Sequence, residues 1–289
     1  MEMDSFSSIC KTQTVAETNR LLSFLPLTHI VWQGYAVVKP NKRRKTMSDK
    51  PSKKIEDRQL QIGMVIFPGF TLQDLAGPQT AFGLHAKTHI IWKTMDPVPT
   101  DMGVTLNPTI TMHDVPDNLD VLFVAGGAGT PEIMKDQEFL DFIARAGKTA
   151  TYITSACTGS VLLAMAGLLE GYRAATYWPF YEPLIALGIE PSYERVCVDR
   201  NRITGGGVTA GIDFALQVIA EIKGRDAAEF TQLVLEYDPQ PTMNSGHPRS
   251  ARPEIVEQIK GLWGRTEEAV RVAKAHMERR ARSQIPASV

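Results

Sequence analysis

The sequence predicts an α/β fold, a mostly parallel sheet with helices on both faces. Short, continuously apolar runs such as Gln61–Phe67 and Leu119–Ala125 lack the alternation of a half-exposed strand and read as strands buried on both faces. Segments of helical length alternate with these runs, as crossovers between parallel strands require. Glycine-bearing turns stand at the carboxyl ends of the runs, where sheets of this kind place their sites.

Residues 1–58 stand apart, with weak periodicity followed by a basic stretch from Lys39 to Lys54. They are expected to form a disordered N-terminal extension. Asn41–Lys45 could be a nuclear address or a phosphate patch, although a solvated disordered tail is the simpler reading of a lone charge run. The first strand, Gln61–Phe67, ends at Pro68-Gly69, and residues 75–86 suit a helix. His89–Trp92 reads as a second strand, and Leu119–Ala125 as a third, stopped by Gly126-Gly127. A helix is expected over 136–147, a strand over Thr149–Thr154, and a helix of small and aliphatic residues over Val161–Leu169. Arg202–Thr204 runs into Gly205-Gly206-Gly207, with a helix following through Glu221. A further helix over 225–237 and a Pro-rich loop over 238–253 lead to a charged helical segment over 254–282. There Ile255, Ile259, Leu262, Ala269 and Val272 could form one narrow apolar stripe. The catalytic domain is expected over 59–250 and a C-terminal helical extension over 251–289.

Composition narrows the function. The chain has 289 residues, 43% hydrophobic and 22% charged, as expected of a soluble globular protein with one sizeable core. A formal net charge of -1 gives no general attraction to nucleic acid or to an anionic membrane, so a small-molecule substrate is the better expectation. Three cysteines without zinc-site spacing and six scattered histidines argue against a disulfide framework and a structural metal. Leu21–Val38 is interrupted by Pro26, His29 and Gln33 and makes a poor membrane span. No signal peptide is read, and the cytoplasm is the expected location.

Cys157 has the setting of a nucleophile. Thr151–Ser160 passes from β-branched residues through small ones into a helical segment, as at an elbow where a strand turns sharply into a helix. Small neighbours suit that crowded backbone, and Ala156 and Gly159 supply them. A thiol at a helix N-terminus is expected to have a lowered pKa. Cys197 alternates like a half-exposed strand residue, and Cys10 lies in the N-terminal extension. No histidine follows Cys157 until His247, so a Cys-His hydrolase is disfavoured. Asp74, just after the first strand, is the better proton-transfer partner. By its local sequence it suits a helix N-cap; buried beside a thiol it could carry a raised pKa. The turn at Gly127 offers backbone N–H groups that could line an oxyanion or substrate site.

Asp74–Pro78, Gly126-Gly127 and Thr154–Gly159 together resemble the ThiJ/PfpI superfamily and, within it, the isonitrile hydratases. Leu60–Gly63, Ile91–Lys93, Ala166–Leu169, Glu194–Val196, Thr204–Leu216 and Leu235–Pro239 extend the resemblance over roughly residues 60–250. It implies a flavodoxin-like three-layer sandwich, no cofactor, a homodimer, and hydration of an organic isonitrile to an N-substituted formamide. The implied roles are Cys157 as nucleophile, Asp74 as acid and base through a covalent thioimidate, and Thr158 as the hydrogen-bonding neighbour. Relatives commonly carry histidine where this chain has Tyr177. Tyr177 could donate a hydrogen bond to substrate, or simply pack beside Trp178 and Phe180. Rival readings are a glyoxalase-like or deglycase-like enzyme and a redox sensor with an exposed thiolate. Transcriptional regulators sharing the domain are discounted, because the residues after Gln240 are few and charged.

Overall fold

The computed structural model describes residues 59–262 and 265–283. The basic run at Asn41–Lys45, Cys10 and the expected N-terminal extension lie outside them.

Eleven strands and nine α-helices are assigned among the described residues. In chain order they begin β1 (Leu60–Val65), α1 (Leu72–Phe82), β2 (Ala86–Trp92), β3 (Val98–Pro99), β4 (Thr105–Leu106) and β5 (Ile110–Thr111). Next come β6 (Val121–Val124), α2 (Thr130–Ile133), α3 (Gln137–Thr149), β7 (Tyr152–Ser155), α4 (Gly159–Met165), β8 (Arg173–Ala174) and α5 (Tyr181–Ala186). The chain continues through β9 (Glu190–Pro191), β10 (Val196–Asp199), β11 (Arg202–Gly205), α6 (Ala210–Lys223), α7 (Arg225–Val234), α8 (Pro253–Leu262) and α9 (Arg265–Ser283).

The main sheet has the order β10-β11-β7-β6-β1-β2-β5. All its pairs are parallel except β10 with β11 at one edge. The apolar runs read as buried strands fill its centre: every residue of β6 and β7 is buried, as is β1 apart from Gln61. With both faces covered, these strands need no polar alternation. Helices α1, α6 and α7 pack together, as do α2, α4, α5 and α9. Phe214 of α6 packs on Phe82 of α1 and Phe123 of β6, with ring centroids 6.0 and 5.6 Å apart. Phe139 of α3 meets Phe67 and Trp92, each at 5.9 Å. No described helix is long and apolar enough to cross a membrane.

Some boundaries differ from expectation. The segment at Thr149 belongs to α3, whose buried Phe139, Leu140, Phe142, Ile143 and Gly147 keep helical spacing to its end. Cys197 is fully buried, not half-exposed, because the β8–β9 pair lies over β10 and the Arg173 carbonyl accepts from its thiol at 3.7 Å. The C-terminal stripe is split between two helices. On α9 the fully buried positions are Ala269 and Ala273, which let it approach α2 and α5 closely. Lys135–Glu268 at 2.5 Å and Arg280–Glu170 tie it down, although exposed pairs of this kind contribute little.

One consequence of the sheet order positions the site. Val65, Val124, Ser155 and Thr204 are in register across β1, β6, β7 and β11. The turns after all four strands therefore open at the same edge of the sheet.

Candidate active site

Cys157 stands at the apex of the turn from β7 into α4 with φ 55°, a left-handed conformation that is uncommon outside glycine. Such strain persists only where the surroundings over-determine it. Its N–H donates to the carbonyls of Gly206 at 2.7 Å and Gly205 at 3.1 Å, at the end of β11 and just past it. Its carbonyl accepts from the Thr176 hydroxyl at 3.1 Å. The elbow read from the sequence is thus held from the β11 side.

From the other side it is held by contact. A Cβ on Gly126 would lie 2.4 Å from the Thr158 nitrogen and 2.8 Å from the Cys157 Cβ. One on Gly159 would lie 2.2 Å from the Val124 carbonyl oxygen. The turn after β6 and the start of α4 therefore meet backbone to backbone. Gly126→Ala is expected to push the elbow out of register, lowering stability by about 3 kcal/mol. Gly261→Ala, at a position with open space, is the control. Paired chemical denaturation curves check this; equal midpoints for the two variants would mean that the close approach at Gly126 is not needed.

Asp74 is fully buried. It is not the helix N-cap that local sequence favoured: Thr71 occupies that position, and Asp74 lies within the first turn of α1. Its Oδ2 accepts from the Gly126 N–H at 3.0 Å. Oδ1 is buried without a well-formed hydrogen bond, and the Cys157 thiol interacts with the carboxyl. Burial raises the Asp74 pKa from 3.8 to about 7, against the opposing pull of Cys157 and the Gly126 N–H. Asp101 adds a smaller upward push. It is held near by the Thr71 hydroxyl at 2.5 Å and by the Phe70–Thr100 bridge. Nothing in the local sequence pointed to Asp101.

The thiol does not follow the expected lowering. Cys157 is buried, and burial together with the neighbouring Asp74 pushes its pKa well up. Interaction with the Thr158 backbone N–H opposes this without reversing it. The physical reason lies in the relative magnitudes. α4 has seven residues, and a helix terminus is worth typically about 0.3–1 kcal/mol, whereas desolvating an ion costs several. A redox sensor needing an exposed thiolate does not fit this setting.

Thr158 and Gly127 are brought together. The Gly127 N–H donates to Thr158 Oγ1 at 2.9 Å, and Thr158 Oγ1 lies 2.7 Å from Thr130 Oγ1. The Gly127 N–H is thus directed at Thr158, not into a substrate site. With φ 149°, and a would-be Cβ 2.4 Å from the Gly69 carbonyl oxygen, Gly127 lets the loops after β1 and β6 touch. Tyr177 is half-buried, packs on Trp178 at 6.1 Å and lies over Gly207. Burial and then Cys157 raise its phenol pKa, so it lies within electrostatic range of the thiol. Thr176, Thr130 and the Gly205 and Gly206 carbonyls were not assigned roles from sequence, since each acts only through a neighbouring strand end. Among the described residues no three His, Cys, Asp or Glu side chains converge as a metal site would need.

The chain is similar to known proteins over most of the described residues. The profile of the DJ-1/PfpI family matches residues 61–221. The chain is 44% identical over 203 residues to the isonitrile hydratase of Pseudomonas putida, covering 70% of this chain and 89% of that protein. It is 32% identical over 180 residues to the HTH-type transcriptional regulator CdhR of Pseudomonas aeruginosa, covering 57% of this chain and 51% of the regulator. It therefore spans about half the regulator's length. The crystal structure of a ThiJ/PfpI family protein from Pseudomonas syringae superposes with a TM-score of 0.73 at 41% identity, over 80% of this chain and 97% of that one. The ThiJ/PfpI resemblance and the α/β core expected from sequence are borne out.

Proposed function

We propose, from the premise that this chain belongs to the DJ-1/PfpI family, that it is a hydro-lyase converting organic isonitriles to N-substituted formamides. The observation that carries this reading is the pairing of a strained, buried Cys157 with a buried Asp74 that titrates about pH 7. The 44% identity to an isonitrile hydratase supports it.

In this reading the pair passes protons between two partners whose affinities differ. At rest the thiol holds its proton and Asp74 is partly ionised. The ionised Asp74 takes the thiol proton as sulfur bonds to the isonitrile carbon. It then delivers that proton to the same carbon, leaving a thioimidate, R–N=CH–S–Cys157. Asp74, ionised again, takes a proton from water as the hydroxyl adds to the thioimidate carbon, and gives it to nitrogen. The C–S bond breaks as the carbonyl forms, R–NH–CHO leaves, and the hydroxyl proton returns to sulfur. One water is consumed and no cofactor is called on. A carboxylate that titrates near the working pH serves in both directions.

Thr158 sets the turn of Gly127 and the backbone beside the sulfur, and is a positioning residue in this scheme. Tyr177 is a candidate hydrogen-bond donor at the rim. The working form is proposed to be a homodimer, which light scattering would test. The direct test of function is incubation of the full chain with an isonitrile, following the formamide by mass spectrometry. Accumulation of formamide at a rate proportional to protein is expected. No consumption of alkyl or aryl isonitriles, with turnover of methylglyoxal instead, would overturn the reading in favour of a glyoxalase-like enzyme.

A further inference from the structure

A pocket of about 500 Å3 lies beside the elbow on its β11 side. Thr176 and Gly206 line it, and these are residues that hold the Cys157 carbonyl and N–H. The pocket therefore adjoins the nucleophile's own backbone. Its size falls within the range of small-molecule sites and exceeds the roughly 150 Å3 that suffices for benzene.

Four aromatic rings line it in two edge-to-face pairs. Tyr177 meets Trp178 at 6.1 Å and 65°, and Tyr181 meets Tyr193 at 4.7 Å and 64°. The Tyr193 ring is 56% exposed. The hydration chemistry uses none of Trp178, Tyr181 and Tyr193. Another part of the lining, around His247 and Arg249, comes from beyond the family-profile match that ends at residue 221. A surface that is not needed for the bond-making steps, and that is built partly outside the shared core, is where substrate selection is free to reside.

We infer that this pocket receives the isonitrile's substituent, and that the substituent is an aryl group; the inference rests on the hydration reading. Ring chemistry is the reason. Edge-to-face pairs present both electron-rich faces and electropositive edges. A flat aromatic substituent satisfies these by stacking or by T-shaped contact, which adds to plain area burial. A saturated ring of the same carbon number buries similar area but makes no such contact. The small N≡C group is left to extend toward Cys157.

The test compares phenyl isonitrile with cyclohexyl isonitrile, using the full chain and the variants Trp178→Leu and Tyr193→Leu. Leucine keeps apolar bulk and removes the π face. The wild type is expected to favour the phenyl compound about 10-fold in kcat/KM. Each variant should reduce that preference to about 2-fold, mostly through KM. Because the Tyr193 ring is largely exposed, its variant keeps the comparison open if Trp178→Leu does not fold. No phenyl preference in the wild type, or the same preference in the folded variants, would overturn the aryl assignment while leaving hydration intact. If neither isonitrile is consumed, hydration itself fails. Calorimetric binding of formanilide against N-cyclohexylformamide then reads the pocket alone. A phenyl preference lost in Tyr193→Leu sustains an aryl site, and equal binding overturns it.

Discussion

Asp74→Asn is expected to abolish most isonitrile turnover while making the folded chain more stable above neutral pH. The loss of activity follows from the role proposed for the carboxyl. Asparagine keeps a carbonyl oxygen for the Gly126 N–H but neither takes nor returns a proton. General acid–base catalysis is worth about 10²- to 10⁴-fold, and a fall in kcat in that range is expected. The gain in stability has a separate cause. The folded-state pKa of about 7 lies above the ordinary 3.8, so between those values the native chain holds a proton that the unfolded chain has released. Stability therefore falls as pH rises from about 4 to 7, and the deficit is complete above 7. For a fully buried group the cost is on the order of 4 kcal/mol. The variant carries no such charge, so its advantage over the wild type should appear in full at about pH 8 and fade only by about pH 4. Chemical denaturation at the two pH values measures this, alongside a pH–rate profile whose acid limb should turn near 7 in the wild type. Full activity in Asp74→Asn removes the proton-transfer role. An advantage independent of pH removes the raised pKa.

Cys157→Ala is expected to lose turnover by about 10⁴-fold or more, because the covalent step disappears entirely. Wild-type protein quenched during turnover should show a mass increase of one isonitrile, and Cys157→Ala should show none. Retained activity in the alanine variant would sink the covalent mechanism. The elbow has a second consequence at this position. At φ 55° any Cβ is strained, whereas glycine is not. Cys157→Gly is therefore expected to be about 1 kcal/mol more stable than Cys157→Ala, at equal loss of activity. Equal stability of the two variants would mean that the surrounding hydrogen bonds impose no strain on the turn.

These two residues also mark how far local sequence reaches. The elbow was legible because its requirements are local: a buried strand, small residues, then a helix, all within Thr151–Met165. The buried strands β1 and β6 and the glycine turns after them were legible for the same reason. Their apolar continuity and their need for backbone freedom are carried by consecutive residues. The family resemblance added a longer pattern of the same kind.

What local sequence misjudged depends on which strands become neighbours. Asp74 looked like an N-cap because its own segment says only that a helix begins nearby. It becomes a partner for Cys157 because β6 lies between β1 and β7, so that the Gly126 N–H meets its carboxyl and the thiol faces it. The thiol looked acidified because a helix follows it. Burial, a non-local property, outweighs the helix terminus and sends its pKa upward. Gly127 looked like a donor to substrate until the fold placed Thr158 on its N–H. Asp101 and Thr176 carried no signal, as they lie 27 residues after Asp74 and 19 after Cys157 in the chain. The fold class and the elbow that carries Cys157 follow from the local order of residues, since propensity and turn geometry act over a few residues. Folding was needed to bring the Asp74 carboxyl to the thiol, to bury both groups and to assemble the aromatic pocket, since solvation and Coulomb interactions depend on distances that the chain closes only by folding.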